Sequence, residues 1–104
     1  MTYQIETTAE AEADLEAILV WLHEQGAGRV GINWFLGLED AIHSLQSLPG
    51  RCGRAPETAG FPLEIRQLKY GKPPHVYRIL FTIEMSRRVR VMRVLHTRRQ
   101  RLGR

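Results

Sequence analysis

The sequence predicts an α+β fold: an N-terminal strand, an antiparallel helical hairpin packed on a small, mainly antiparallel β-sheet, and a short basic C-terminal tail. Three observations carry this. Two stretches in the first half repeat apolar residues at steps of three and four, which is the period of a helix. Two stretches in the last third, Val76–Glu84 and Val89–Leu95, are dominated by β-branched, aromatic and other apolar residues and are separated only by Met85-Ser86-Arg87-Arg88, enough to reverse a hairpin. A Gly/Pro-rich loop divides the two halves, so the helices come first and the sheet mostly after.

The elements follow in order. Tyr3-Gln4-Ile5 alternates and predicts a short strand. Thr7 and Glu10 stand at capping-box spacing ahead of a helix whose apolar face is Ala11, Leu15, Ile18 and Leu22. Acids at Glu10, Glu12, Asp14 and Glu16 suit the positive end of its dipole, and Gln25-Gly26-Ala27-Gly28 ends it. A second helix is predicted from about Arg29 to Leu48, with a stripe of Val30, Trp34, Leu38, Ala41, Leu45 and Leu48 widened by Phe35 and Ile42. Trp21 and Trp34 lie near these stripes and read as core. Gly31 and Gly37 each cost about 1 kcal/mol relative to Ala in a helix interior, unless close packing requires them. Pro49-Gly50 stops the helix. The two helices and their short connection make a helical hairpin.

Residues 49–62 hold three Gly and three Pro without periodicity and predict a loop. Leu63-Glu64-Ile65 and Leu68-Lys69-Tyr70 alternate, with a slip of phase near Arg66-Gln67 that predicts a β-bulge there. Gly71-Lys72-Pro73-Pro74 breaks the strand. In the hairpin, Tyr77, Ile79, Phe81 and Ile83 share one face. Val76 and Leu80 lie on the other, and the pairs Val91-Met92 and Val94-Leu95 are apolar on both sides. A strand apolar on both sides is covered on both sides. Two helices cover one face, so the tail or a partner is expected on the other. A loop of four residues, 85–88, would set Glu84 against Val89 and Tyr77 against His96.

The totals exclude several classes. One hundred and four residues make one domain, 1–104, with a single core. Hydrophobic content of 43% and charged content of 25% are ordinary for a globular chain. No run of about 18 apolar residues predicts a membrane span, and the acidic N-terminus is unlike a signal peptide. Cys52 is alone, which excludes an internal disulfide and fits a reducing cytoplasm. His23, His43, His75 and His96 lack metal-ligand spacing, so no metal or cofactor is expected. The net charge of +4 hides a split: residues 1–50 carry Arg29 against eight acids, a net of −7, and residues 51–104 carry fourteen Lys and Arg against three acids, a net of +11. Either the basic half presents a surface to an anionic partner, or the halves neutralise one another within the fold.

The ordered set ADLEAILVWL, LQSLPG, IRQL, VYRILFTI and VRVMRVLHTRRQ resembles the RelE/ParE family of bacterial toxins, over about Tyr3 to Gln100. The closing VLHTRRQ and the two long N-terminal helices are most similar to the ParE branch. The resemblance implies the toxin of a type II toxin–antitoxin module that inhibits DNA gyrase and is neutralised by a cognate antitoxin. It implies an antitoxin on the sheet face away from the helices, with Leu80, Met92 and Val94 as contacts. On the ParE branch, Arg93 and the tail residues Arg98, Arg99, Arg101 and Arg104 would meet the target.

The alternative implied by the RelE branch is metal-independent cleavage of messenger RNA on the ribosome. That chemistry needs a base for the ribose 2′-hydroxyl, positive charge on the phosphate and an acid for the leaving oxygen. His96, Arg78, Lys69 and Lys72 are the candidates, because His96 alone beside the basic cluster titrates near neutrality unperturbed. A strand-end histidine serves equally as hydrogen-bonded scaffold, and a basic tail as a solvated terminus. A non-toxic nucleic-acid-binding module ranks behind both: the chain lacks a recognition helix, stacking aromatics of RNP type and a GXXG clamp, and positive charge by itself supports only non-specific phosphate contact.

Overall fold

A computed structural model of the chain describes residues 2–98. Its centre is an antiparallel pair, β3 (His75–Glu84) and β4 (Arg88–His96). β2 (Arg66–Lys72) lies antiparallel on the far side of β3, and β1 (Gln4–Thr7) lies parallel to β4, so the sheet order is β1-β4-β3-β2. Between β1 and β2 the chain forms α1 (Ala9–Glu24) and α2 (Gly28–His43). The α+β architecture expected from the sequence is the one observed.

Helix α1 starts one residue later than the capping-box spacing implies. Its N-cap is Thr8, whose hydroxyl oxygen accepts the Ala11 N–H at 3.0 Å and whose O–H donates to the Met92 carbonyl at 2.8 Å. The same side chain therefore caps the helix and ties it to β4. Thr7 instead donates to the Glu12 carboxylate. Ala11 and Ile18 are buried, with Leu15 and Leu22 packed beside them.

Helix α2 is shorter than expected and rolled about its axis. It ends at His43 and runs into a 3-10 turn, Ser44–Gln46. The Ser44 hydroxyl donates to the Ala41 carbonyl at 2.6 Å, competing with the helical ladder. The residue before a proline avoids the α region, and Leu48 sits at φ 48°. Arg51 then donates to the carbonyls of Ser47 and Leu48. The buried line is Gly31, Phe35, Leu38, Ile42 and Leu45, while Val30 and Leu48 are 78% and 76% exposed.

The sheet explains its own two-sided apolarity. The helix-side core joins Phe35, Leu38 and Ile42 to Tyr77, Ile79, Phe81, Val89, Val91 and Val94. A second, smaller core on the other face holds Ala55, Ile65, Leu80 and Leu95, with Met92 half-buried against it. The chain's own 49–65 segment supplies cover for this face, a source that the sequence pattern does not reveal. It is pinned by the Ala55 N–H to the Ile65 carbonyl at 2.7 Å, and by Thr58, whose hydroxyl donates to the Ile65 carbonyl and accepts the Ile65 N–H. The segment also contains two 3-10 turns, Pro49–Arg51 and Pro56–Gly60.

The bulge lies elsewhere than expected. Phe81 opposes Val91 and Leu80 opposes Arg93, so Met92 is the extra residue in β4, and β2 pairs with β3 without a break. The hairpin loop is also one residue shorter: Glu84 opposes Arg88, leaving Met85-Ser86-Arg87, with Ser86 and Arg87 at φ 66° and 53°. These two differences cancel. The shorter loop moves the register by one and the bulge moves it back, so Tyr77 opposes His96 as expected. Among the described residues no helix is long and apolar enough to cross a membrane.

Candidate functional site

Most of the arginines on the sheet are held by acids of the same chain. Arg78 donates to both carboxylate oxygens of Glu57 at 2.9 and 2.6 Å and to the Gln67 side-chain oxygen at 3.0 Å. The two charged side chains are only 10% and 11% exposed, and the Glu57 hydrogen bond raises the Arg78 pKa. Arg93 forms a two-pronged pair with Asp14 of α1 at 2.8 and 3.0 Å, and that carboxylate also accepts the Val94 N–H at 2.8 Å. Asp14 raises the Arg93 pKa chiefly through this hydrogen bond. Glu6 lies within reach of Arg88 and Arg90, Glu84 holds Arg90, and Glu64 pairs with Arg54 and Arg66. Of the acids in these pairs only Glu6 and Asp14 come from the acidic half; Glu57, Glu64 and Glu84 hold arginines of their own half, so the ion pairs cancel only a small part of the split. Lys69 and Lys72 are exposed and have no carboxylate partner among the described residues.

His96 sits in a cluster of rings at the other end of the hairpin. It is 4% exposed, with the Tyr77 ring 5.0 Å away at 83° and the His75 ring at 5.9 Å. Trp21 packs on His75, and Trp34 packs on both Tyr70 and Tyr77. The Tyr70 hydroxyl donates to the Trp34 carbonyl at 2.6 Å. His96 Nδ1 accepts the Arg98 N–H at 3.1 Å, so a neutral ring carries its proton on Nε2. This placement suits an imidazole that holds the end of β4 against Tyr77 and His75 of β3.

The four residues proposed for RNA cleavage are divided between the faces of the sheet. Tyr77 belongs to the helix-side core, and His96 opposes it in register. Lys72 shares that side by the two-residue repeat with Leu68 and Tyr70. Arg78 points the other way, beside Leu80 and Leu95, and Lys69 opposes it across β2. A phosphate on either face meets only part of the set. Of the residues proposed to contact an antitoxin, Leu80 and Val94 are 0% and 1% exposed, inside the two cores, and Met92 is half-buried at the bulge. Arg98 is described; Arg99, Arg101 and Arg104 lie outside the described residues.

Two features were absent from the sequence-based candidates. Asp14 fastens α1 to β4, and its signal was available: it lies three residues after Ala11 and four before Ile18, on the buried side of α1. The outer face of the helical hairpin carries exposed Leu19, Val20, Ile32 and Leu36. Leu19 and Ile32 border a shallow groove of about 220 Å³ between the helices. No metal-binding group of three or more His, Cys, Asp or Glu occurs among the described residues.

Comparison with known proteins agrees with this architecture. The model of a family described as the ParE toxin of the type II toxin–antitoxin system, parDE, matches residues 5–101. Among solved structures, the chain is similar to one described as the chromosomal ParDE TA system from P. aeruginosa. The TM-score is 0.72 at 18% sequence identity, over 91% of this chain and 96% of that one. No curated protein matches. With a family match spanning nearly its whole length, on a sheet and helical hairpin shared with a ParDE structure, the chain belongs to the ParE toxin family of type II toxin–antitoxin systems.

Proposed function

We propose that this ParE-family toxin acts by contact, as an inhibitor of DNA gyrase, and is held inactive by a cognate antitoxin. The observation that carries the reading is the dispersal of the acid–base and phosphate-binding groups. His96 lies in a ring cluster on one face of the sheet, while Arg78 lies on the other and is held by Glu57. Catalysis of RNA cleavage requires such groups within hydrogen-bond reach of one another's substrate atoms. A contact inhibitor requires exposed surface instead, and the apolar residues of the outer hairpin face supply it. Family membership supports the toxin class and the antitoxin partner.

The test is purified toxin with gyrase and relaxed plasmid. Loss of supercoiling, with gyrase-dependent DNA cleavage, is expected, and added antitoxin is expected to restore supercoiling. Unimpaired gyrase together with cutting of a transcript on ribosomes would overturn the reading.

A further inference from the structure

The chain has two tryptophans, and both line one pocket of about 160 Å³. Trp21 comes from the end of α1 and Trp34 from the middle of α2, and each is only half-buried. Leu22, Ala27 and Val30, near the turn of the helical hairpin, add to the apolar lining. The sheet contributes His75, at the start of β3, whose ring lies 5.1 Å from the Trp21 ring. Two indoles left part-open around a hollow keep apolar surface in water, and a bound apolar group would remove it from water. A cavity of about 150 Å³ admits one benzene-sized ring, so this pocket has room for one ring.

Polar groups meet at the sheet end of the pocket. Gly71 sits at φ 101°, and a Cβ there would strike the His75 carbonyl, so the turn from β2 into β3 closes tightly. The same Cβ position is 3.6 Å from the Trp34 ring, which sets this turn against one wall of the pocket. Across the turn Lys72 opposes His75 in the ladder, and by the two-residue repeat both share the helix side with Tyr70 and Tyr77. Paired strands lie about 4.8 Å apart, so the Lys72 side chain is long enough to bring its ammonium to the His75 edge. Lys72 is exposed and has no carboxylate partner among the described residues. The Trp34 indole N–H makes no hydrogen bond among the described residues and is open to solvent.

We propose that this pocket binds a small aromatic carboxylic acid. The ring lies among Trp21, Trp34 and Val30, and the carboxylate stays at the mouth against the Lys72 ammonium. The charges match one for one, a single cation without an acid of its own meeting a single carboxylate. The lining side chains are apolar except His75, so a ligand with one polar group fits the pocket and a polar main chain does not. The inference does not depend on which target the toxin inhibits.

The experiment titrates the nitrogen-15-labelled full chain with phenylacetate, reading the indole N–H signals of Trp21 and Trp34 by NMR. Both signals should shift and saturate, with a Kd of about 1 mM. The neutral phenylacetamide should bind roughly three- to fivefold more weakly, as one exposed charge pair allows, and acetate should move neither signal. Lys72→Gln should bring phenylacetate down to the affinity of the amide and leave the amide unchanged. Val30 is 78% exposed in the first turn of α2, where an acid suits the helix dipole. Val30→Asp should therefore fold and weaken phenylacetate more than the amide. Equal wild-type affinity for acid and amide, or indole signals that do not saturate, would overturn the proposal. A Lys72→Gln variant that holds phenylacetate as the wild type does would also overturn it. So would tighter binding of a short peptide ending in phenylalanine, since the pocket would then serve a protein chain end.

Discussion

Asp14 and Arg93 form the tie between α1 and β4, and removing either partner should cost unequal amounts. The Asp14 carboxylate is 10% exposed and accepts from Arg93 Nε, Arg93 Nη2 and the Val94 N–H. Asp14→Ala leaves the Val94 N–H without an acceptor inside the core, which costs about 1–3 kcal/mol. It also frees a guanidinium that is 29% exposed and can turn to water, adding about 1 kcal/mol. The expected total is about 2–4 kcal/mol. Arg93→Met leaves the carboxylate on the Val94 N–H and should cost about 1–2 kcal/mol. Trp21 and Trp34 report on the helices, so urea unfolding followed by tryptophan fluorescence reads both. A loss of about 3 kcal/mol at Asp14 would lower the urea midpoint by roughly 1–3 M. An Arg93 variant that costs as much as the Asp14 variant, or more, would refute the argument that the backbone N–H carries the larger share. Folded Arg93→Met protein that no longer inhibits gyrase would move Arg93 from this tie to the target surface.

Three further outcomes follow from individual contacts. A Cβ at Gly37 would collide with the Tyr70 hydroxyl, so Gly37→Ala should break its bond to the Trp34 carbonyl and destabilise by about 1–2 kcal/mol despite better helix propensity. Adding Tyr70→Phe should restore part of that in a double-mutant cycle; full additivity would contradict the collision. The Arg90 hydrogen bond, helped by Thr82, holds the Glu84 carboxyl below its usual pKa. A lowered carboxyl pKa contributes stability above the unfolded value near about 4.3 and loses it as pH falls through the lower folded value. Glu84→Gln should therefore flatten the acid side of a stability–pH curve, and an unchanged slope would remove Glu84 from that account. Burial raises the Cys52 thiol pKa against the opposing pull of Arg51 and Arg66, so native protein should react slowly with a disulfide reagent and urea-unfolded protein quickly. Equal rates would contradict burial.

The periodic parts of this fold were legible because periodicity is local. The stripe of α1 and the alternation from Tyr77 to Ile83 each fall within one element; α2 also shows as a helix, but its stripe is rolled, with Val30 and Leu48 exposed. Elsewhere the sequence misled where two elements had to be compared. The apolar pairs Val91-Met92 and Val94-Leu95 carry the trace of the Met92 bulge, a phase slip between Val91 and Val94, yet read strand by strand they look like burial on both faces. Part of that burial is real, but its cover comes from Ala55 and Ile65, in a Gly/Pro-rich segment without a period to reveal it. The charge split is legible as a sum, but which arginines are held is not: Asp14 reaches across from the acidic half to Arg93, while Glu57 holds Arg78 within the basic half. The Tyr77–His96 juxtaposition was expected for a loop one residue too long and survives because the bulge compensates. Lys72 drew notice for its charge alone; its place at the edge of the Trp21–Trp34 pocket depends on how β2 registers against β3, which no local pattern encodes.

The account rests on a toxin that inhibits by contact, and one comparison tests that most directly. Wild-type protein and a triple variant, Lys69→Gln/Lys72→Gln/His96→Gln, should be titrated side by side against gyrase supercoiling and against a ribosome-bound transcript. The account predicts that folded protein of either kind inhibits supercoiling and that neither cuts RNA. Transcript cleavage by the wild type that the triple variant loses, with gyrase untouched by both, would contradict it.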